Sequence, residues 1–223
     1  MTDGWATFDC YGTLIDWMGG IRATLAELFP EHDAELLLGA YHQIEPEVQR
    51  GRSISYRQVL VETLERLAHR EGLELAEDDR AALADSLPTW APFPEVPPAL
   101  QDLRDRGWRL AILSNTDPDL LGASLSLIAV DVDERITAAD AGSYKPAPGH
   151  WNMFFERTGA DRTRHVHVAA SLYHDVAPCA ELGLRAVWIN RLGETSDLPR
   201  AAELPDLERL PDTLDRLVPR LGA

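Results

Sequence analysis

Between residues 96 and 190 the sequence alternates between short apolar segments and amphipathic segments, and this pattern constrains the fold more than any other feature. The strand-like segments are WRLAILS (108–114), ERITAAD (134–140), HVHVAAS (165–171) and LRAVWIN (184–190), and another apolar segment covers residues 4–9. The patterns at 96–106, 117–126, 148–158 and 172–183 are helical. Strands that alternate with helices form a parallel sheet covered on both faces. The sequence therefore predicts an α/β core.

Residues 17 to about 91 have a different pattern and read as entirely helical. The stretch RQVLVETLERLAHREG places Val59, Leu60, Leu64, Leu67 and Ala68 on one face, and Gly72 suits its end. The stretch AELLLGAYHQIEPEVQR is helical up to Pro46. Five prolines in PTWAPFPEVPP (88–98) mark a linker. We expect a core formed by residues 1–16 and 92–223 and a helical domain formed by residues 17–91. The proline-punctuated segment 193–212 reads as surface.

Polar side chains stand where the predicted strands end. They are Asp9, Ser114, Asn115, Ser171, His174 and Asp175, and the loop SYKPAPGHW adds Lys145. Each has a simple structural interpretation, since serine after a strand often caps a helix, a loop lysine is usually solvated and an aspartate favours a helix start. In open parallel sheets, however, chemistry collects at the carboxyl ends of the strands. The set as a whole predicts a functional site at that edge.

Composition excludes several classes of partner. The net charge is −16, which argues against nucleic acid and anionic membranes. No apolar run reaches 18 residues, and no basic stretch followed by an apolar one marks a signal peptide. The two cysteines, Cys10 and Cys179, imply no disulfide framework. We therefore expect a cytoplasmic protein.

Five motifs in order give the sequence a resemblance to a known family. They are DCYGTLID (9–16), ILSNTD (112–117), YKPAP (144–148), AASLYHD (169–175) and VWINR (187–191). Together they resemble the haloacid dehalogenase superfamily, in its L-2-haloacid dehalogenase (type II) branch. The resemblance implies a Rossmann-like parallel sheet core with an inserted all-helical cap, here residues 17–91. It also implies a homodimer and a hydrolase that acts on small 2-substituted carboxylic acids.

The resemblance also implies roles for individual residues. Asp9 is the nucleophile that displaces the leaving group from carbon 2 and forms an ester, and Thr13 orients it. Ser114 and Lys145 bind the substrate carboxylate, and Lys145 keeps Asp9 ionised. Asn115 lies near the departing group, and Asp175 with Ser171 positions the water that hydrolyses the ester. Cys10, Tyr11 and His174 line the substrate site, although Cys10 is most simply a small core side chain.

Tyr11 distinguishes two chemistries within the superfamily. Phosphatases carry a second aspartate at this position, which protonates the leaving alcohol, whereas a halide leaves as a stable anion and needs no proton. Ala170 stands at the first acidic position of the fourth motif, where magnesium ligands are found in phosphatases. We therefore expect no metal and no cofactor.

Two positions depart from the dehalogenase pattern. Ala40 replaces the cap arginine that reaches the halogen, and Leu172 replaces an asparagine of the fourth motif. Cationic cap residues that could compensate are His42, Arg50, Arg52 and Arg57. Three hypotheses follow: a metal-independent hydrolase with a halide or another leaving group, such as the amine of a strained ring; a magnesium-dependent phosphatase using Asp9 and Asp175; and a non-catalytic descendant.

Overall fold

Strand β1 (Trp5–Phe8) lies at the centre of a parallel sheet that has six strands in the part of the chain described by the structure, a computed structural model covering residues 4–52 and 54–219. The other strands are β2 (Arg109–Ser114), β3 (Glu134–Thr137), β4 (His165–Ala169), β5 (Ala186–Ile189) and β6 (Ala202–Leu204). The sheet order is β3-β2-β1-β4-β5-β6, and every neighbouring pair is parallel. The prediction of an α/β fold with a parallel sheet is confirmed.

The register aligns the carboxyl ends of the central strands. Phe8 of β1 lies opposite Ile112 of β2 and Val168 of β4. The residues that follow these strands therefore meet at one edge of the sheet, next to Asp9. Parallel strands buried on both faces read as continuous apolar runs, and β1 and β4 are buried along their whole length.

Helices cover the sheet and build the rest of its unit. They are α5 (Val96–Asp105), α7 (Ala138–Ala141), α8 (Gly149–Thr158), α9 (Ala177–Glu181) and α10 (Leu210–Leu217). On one face, Trp5 of β1 packs edge-on against Phe154 of α8 at a centroid distance of 5.2 Å. Trp151 and Leu113 belong to the same buried cluster. None of the described helices is long and apolar enough to cross a membrane.

The remaining helices form a second compact unit. They are α1 (Trp17–Leu28), α2 (Ala34–Gln49), α3 (Tyr56–Glu71), α4 (Ala82–Ser86) and α6 (Pro118–Ile128). Contacts between residues divide the chain into two compact units. The first contains residues 1–15, 92–115 and 128–223, and the second contains residues 16–91 and 116–127. The sequence placed residues 116–127 in the core. Their inclusion with the helical residues has a local cause, because Asp117 caps α3.

Asp117 completes the hydrogen bonding at the start of α3. Its two carboxylate oxygens accept from the backbone N–H groups of Tyr56 at 3.0 Å and Arg57 at 2.9 Å. Ser55, the N-cap residue, accepts from the N–H of Gln58 at 3.1 Å. The first-turn N–H groups that a helix leaves unpaired are thus satisfied by two side chains.

Three local predictions differ from the structure. Helix α2 continues through Pro46 to Gln49, because proline removes a single N–H donor and the rest of the helix holds the turn. The stretch after β3 turns into α7 at Ala138, where Thr137 and Asp140 form a capping box. The segment 193–212, which reads as surface, contains β6 and the start of α10, since its apolar residues Leu207 and Leu210 are fully buried.

We expect Asp117→Ala to lower the free energy of unfolding by about 1 kcal/mol, because two N–H groups of α3 lose their acceptor. Urea unfolding followed by circular dichroism measures this change. Asp131→Ala removes an exposed aspartate and serves as the matched control, with an expected change within about 0.5 kcal/mol. Equal losses in the two variants would contradict the capping role.

Candidate active site

Asp9 stands at the carboxyl end of β1 and is only 8% exposed. Its backbone N–H donates to the carbonyl of Val168 at 3.1 Å, which continues the pairing of β1 with β4. Gly12, three residues on, has a φ of +85°, a conformation that glycine adopts without strain. The turn through Gly12 returns Thr13 to Asp9, and the Thr13 hydroxyl donates to Asp9 Oδ2 at 2.9 Å.

Thr13 is itself held on two sides. Its hydroxyl oxygen accepts from the N–H of Ala170 at 2.9 Å, which connects it to the loop after β4. Its carbonyl accepts from Arg191 at 2.8 Å, and the same guanidinium binds Glu95 at 2.7 Å and lies 3.5 Å from the ring centroid of Phe93. The position of Asp9 Oδ2 is therefore fixed through Thr13 by loops from three parts of the core.

Lys145 joins Asp9 to a second carboxylate. Its ammonium donates to Asp9 Oδ1 at 2.8 Å, to Asp175 Oδ1 at 2.7 Å and to the carbonyl of Leu113 at 2.8 Å. Its side chain is 1% exposed. An ammonium has three N–H donors, so all of them are used. The resemblance implied that Lys145 acts on Asp9, and the short distance between Nζ and Asp9 Oδ1 agrees with that expectation.

The ion cluster shifts the pKa values of Lys145 and Asp175 in opposite directions. Burial lowers the pKa of Lys145, but the charges of Asp175 and Asp9 outweigh burial and raise it above its ordinary value. Burial raises the pKa of Asp175, but the Lys145 charge and the His167 hydrogen bond outweigh burial and hold it well below its ordinary value. The cluster therefore stabilises the fold between the ordinary pKa values of a carboxyl and a lysine, about 4 to 10.

Asn115 holds the backbone of the lysine loop. Its Oδ1 accepts from the Lys145 N–H at 2.6 Å and its Nδ2 donates to the Lys145 carbonyl at 3.0 Å. The peptide bond between Lys145 and Pro146 is cis. The Asn115 side-chain amide thus fixes the backbone of Lys145. The resemblance had implied that Asn115 lies beside the departing group.

The other residues of the predicted site have distinct environments. Ser114 is buried at the end of β2, and its carbonyl contacts His150 Nε2 at 3.1 Å. Ser171 is an N-cap, because its hydroxyl accepts from the N–H of His174 at 3.0 Å and lies 3.1 Å from His174 Nδ1. Its bonds therefore go to His174 rather than to Asp175. Burial lowers the pKa of the His174 imidazole.

The two residues after Asp9 differ in exposure. Cys10 is fully buried, and burial together with the charge of Asp9 raises the pKa of its thiol well above the ordinary value. It is therefore an inert core side chain rather than a residue that contacts substrate. Tyr11 is half-buried, and its backbone forms an isolated β-bridge with Ile15.

Sequence reasoning missed five polar residues that contact the site residues or support those contacts. They are Thr7, His165 and His167 on β1 and β4, His150 on α8, and Arg191 after β5. A signal for the strand histidines exists, since HVHVA alternates histidine with valine in a strand that is otherwise apolar. A second unused signal is that Lys145 is the only lysine in the sequence.

The cationic residues proposed to compensate for Ala40 are described within the helical unit. Arg52 makes a bidentate pair with Glu62 at 2.5 and 2.9 Å, and Arg57 binds Asp119 at 3.0 Å. Both guanidinium groups therefore already have acidic partners. The ring of His42 stacks on Trp17 with a centroid distance of 5.1 Å, and Arg50 is exposed.

The donor set does not fit a magnesium ion. Within residues 4–52 and 54–219 no group of three or more His, Cys, Asp or Glu side chains is arranged to hold a metal. Between the two carboxylates, where a cation would bridge them, lies the ammonium of Lys145. The local positive charge is therefore supplied by the chain itself.

Comparison with known proteins identifies the family. The family model for haloacid dehalogenase-like hydrolases matches residues 5–183. The chain belongs to this family of hydrolases. It is 30% identical to the (S)-2-haloacid dehalogenase of Pseudomonas sp. strain YL, over 90% of this chain and 88% of the relative. It is 29% identical to haloacetate dehalogenase H-2 of Moraxella sp. strain B, over 85% and 87% of the two chains.

The fold agrees with that of solved family members. The L-2-haloacid dehalogenase RSc1362 superimposes with a TM-score of 0.86 at 25% identity, covering 96% of this chain and 100% of that one. The family resemblance expected from the five motifs is confirmed. The motif residues Asp9, Lys145 and Asp175 are the ones that the structure joins through hydrogen bonds.

We expect Lys145 to remain protonated beyond the ordinary lysine pKa of about 10.4, because two carboxylates stabilise its charge. Protein labelled with ¹³C-lysine gives one side-chain signal, which reports Lys145 alone. In the folded protein this signal should stay at the ammonium position at pH about 10.4, whereas in urea the same signal should be half titrated. A folded-state midpoint at or below the unfolded one would contradict the stabilisation of the ammonium by the two carboxylates.

Proposed function

We propose that this protein is a metal-independent 2-haloacid dehalogenase that converts a short 2-halocarboxylic acid into a 2-hydroxy acid and a halide ion. The observation that carries the proposal is the Lys145 ammonium held between Asp9 and Asp175. The Asp9 carboxylate, at the carboxyl end of β1, is the nucleophile. The Asp175 carboxylate, which binds the same ammonium, is the base. The two relatives described above are named dehalogenases, and this chain matches each of them over most of its length.

The first step is a substitution at carbon 2 of the substrate. An oxygen of Asp9 forms a bond to carbon 2, and the carbon–halogen bond breaks with its electron pair leaving on the halide. Thr13 and Lys145 each hold one oxygen of the Asp9 carboxylate, which fixes the direction of attack. The departing halide takes no proton, so Tyr11 suffices where a phosphatase has an acid.

The second step hydrolyses the ester. Asp175 removes a proton from water, whose oxygen adds to the carboxyl carbon of Asp9, and the bond from this carbon to the ester oxygen breaks. The released alcohol takes one proton of the water and the other leaves to solvent, so that Asp9 is restored. The hydroxyl oxygen of the first product therefore comes from Asp9 rather than from water.

Substrate binding requires donors beyond Lys145. All three protons of its ammonium are already donated, so a substrate carboxylate would have to displace one of these bonds. We propose that Ser114 contributes to binding this carboxylate and that Lys145 acts mainly on Asp9 and Asp175. This changes the division of roles implied by the sequence motifs.

We further propose a cytoplasmic homodimer without nucleic acid or membrane partners. The acidic net charge of −16 disfavours binding to polyanions, and both cysteines are free and buried. A leaving group other than halide stays open as a second candidate, because Ala40 stands where dehalogenases carry a halogen-binding arginine. The magnesium-dependent phosphatase is less well supported, since Lys145 lies where the cation would bridge.

A panel of 2-haloacids and phosphate esters, each assayed with magnesium and with chelator, separates these candidates. We expect halide release from at least one 2-haloacid, at a rate unchanged by chelator, because Lys145 supplies the positive charge. Phosphate release that disappears with chelator and returns with magnesium would establish the phosphatase instead. Ring opening of a strained cyclic amino acid without halide release would identify the different leaving group.

We expect Asp9→Asn to lower the turnover rate by at least about a hundredfold, because an amide is a poor nucleophile and removal of a true nucleophile usually costs more. Circular dichroism should show an unchanged fold. As a positive test of the ester, a single turnover of wild-type enzyme in H₂¹⁸O should place the label in Asp9 and leave the product unlabelled. Label in the first product would rule out attack by Asp9.

A further inference from the structure

Three buried polar side chains form a row beneath Asp175. His165 and His167 lie two residues apart on β4 and point to the same face of the sheet, where Thr7 of β1 stands between them. The Thr7 hydroxyl oxygen is 2.8 Å from His165 Nε2 and 2.8 Å from His167 Nδ1. His167 Nε2 is 3.0 Å from Asp175 Oδ1. All four residues are fully buried.

The contacts define the direction of every hydrogen bond in the row. An ionised carboxylate only accepts, so His167 Nε2 carries the proton that is donated to Asp175. The Thr7 hydroxyl accepts from His165 Nε2 and therefore donates its own proton to His167 Nδ1. The opposite direction would place the His165 proton on Nδ1, which is buried and has no hydrogen-bond partner among the described residues. Burial lowers the pKa of His165 to about 3, which keeps that ring neutral.

Aromatic side chains pack against both imidazole rings. The His167 ring packs edge-on against Trp151 at 5.3 Å, and the His165 ring lies 5.3 Å from Phe154 and 5.0 Å from Phe155. An apolar shell strengthens a hydrogen bond inside it and raises the cost of breaking it. The row is therefore a rigid support that ends on one oxygen of Asp175.

The two oxygens of Asp175 have unequal environments. Oδ1 accepts from both Lys145 Nζ and His167 Nε2. Oδ2 is buried and receives no hydrogen bond from the part of the chain that is described. Two donors on one oxygen fix the plane of the carboxylate and leave the lone pairs of the other oxygen available to accept a proton.

We propose that His167, supported by Thr7 and His165, is a positioning residue that orients Asp175 so that Oδ2 is the base for ester hydrolysis. This inference rests on the proposed dehalogenase function and deepens it. Lys145 contacts both Asp9 and Asp175 and so affects both chemical steps. Of the two carboxylates, His167 contacts only Asp175. The loss of His167 therefore affects the second step selectively.

Two substitutions at one position test the role. His167→Leu removes the donor and keeps an apolar side chain of fair size, whereas His167→Gln retains an N–H donor at the distance of Nε2. We expect His167→Leu to lower kcat by about 10–100-fold, the loss typical when a partner that orients a metal-ligating side chain is removed. His167→Gln should recover a substantial part of this rate. His165→Leu, on the same strand and face, tests the outer end of the row, because it leaves the bond from His167 to Asp175 in place.

The step that slows distinguishes positioning from a general structural effect. With His167→Leu, one halide per active site should be released rapidly, and intact-protein mass spectrometry should show the Asp9 ester accumulating. His165→Leu should accumulate much less ester. If His167→Leu slows the first halide release by the same factor as steady-state turnover and no ester accumulates, or if turnover is unchanged, the proposal is wrong. Wild-type enzyme that releases no halide from any 2-haloacid would refute the function itself.

A measurement that needs no turnover tests the hydrogen-bond row directly. In ¹⁵N spectra of imidazole-labelled protein at pH 7, His165 should be neutral with its proton on Nε2, and His167 should carry a proton on Nε2. We expect His167→Gln to leave the His165 tautomer unchanged. This variant replaces His167→Leu in the measurement if His167→Leu does not fold. A His167 proton on Nδ1 alone would mean that no donor faces Asp175, and would overturn the proposal whatever the substrate proves to be.

Discussion

The buried ammonium of Lys145, shared by two carboxylates, is the interaction on which the rest of the site depends. Removing charges from water is costly, and breaking a buried pair by removing one partner typically costs about 3–5 kcal/mol. Here the cost is offset by three short bonds that use every donor of the ammonium. Two carboxylates and one ammonium leave a net negative charge, which the surrounding hydrogen bonds must accommodate. The site is therefore held by ion pairs and hydrogen bonds as much as by packing.

Several neutral contacts fix the geometry of this cluster. Thr13 holds one oxygen of Asp9, and Asn115 clamps the backbone of Lys145 on both sides. His167 adds a donor to Asp175 from the strand beneath. Each of these groups belongs to a different segment of the core. The cluster therefore forms only when the strands of the sheet have assembled. A reactive carboxylate oriented by such fixed partners loses little freedom at the moment of reaction.

The arrangement also explains how one scaffold changes its chemistry. A phosphatase of this architecture needs an acid for its leaving alcohol and a metal for its phosphoryl group. This chain has Tyr11 at the position of the acid, and Lys145 bridges the carboxylates that would hold a cation. Both differences suit a leaving group that departs as an anion.

The sequence by itself determined the parallel α/β core, the helical insert and the candidate residues, because apolar periodicity and motif order are local properties of the chain. It also indicated that Asp9 and Lys145 approach each other, since both follow segments that end at one sheet edge. It did not reveal β6 and α10, whose few apolar residues become buried only against the finished core. It likewise missed that Asp117 groups α6 with the insert and that His167 supports Asp175. Those outcomes depend on contacts between residues far apart in sequence, and only the tertiary structure decides which polar side chains share a buried hydrogen bond.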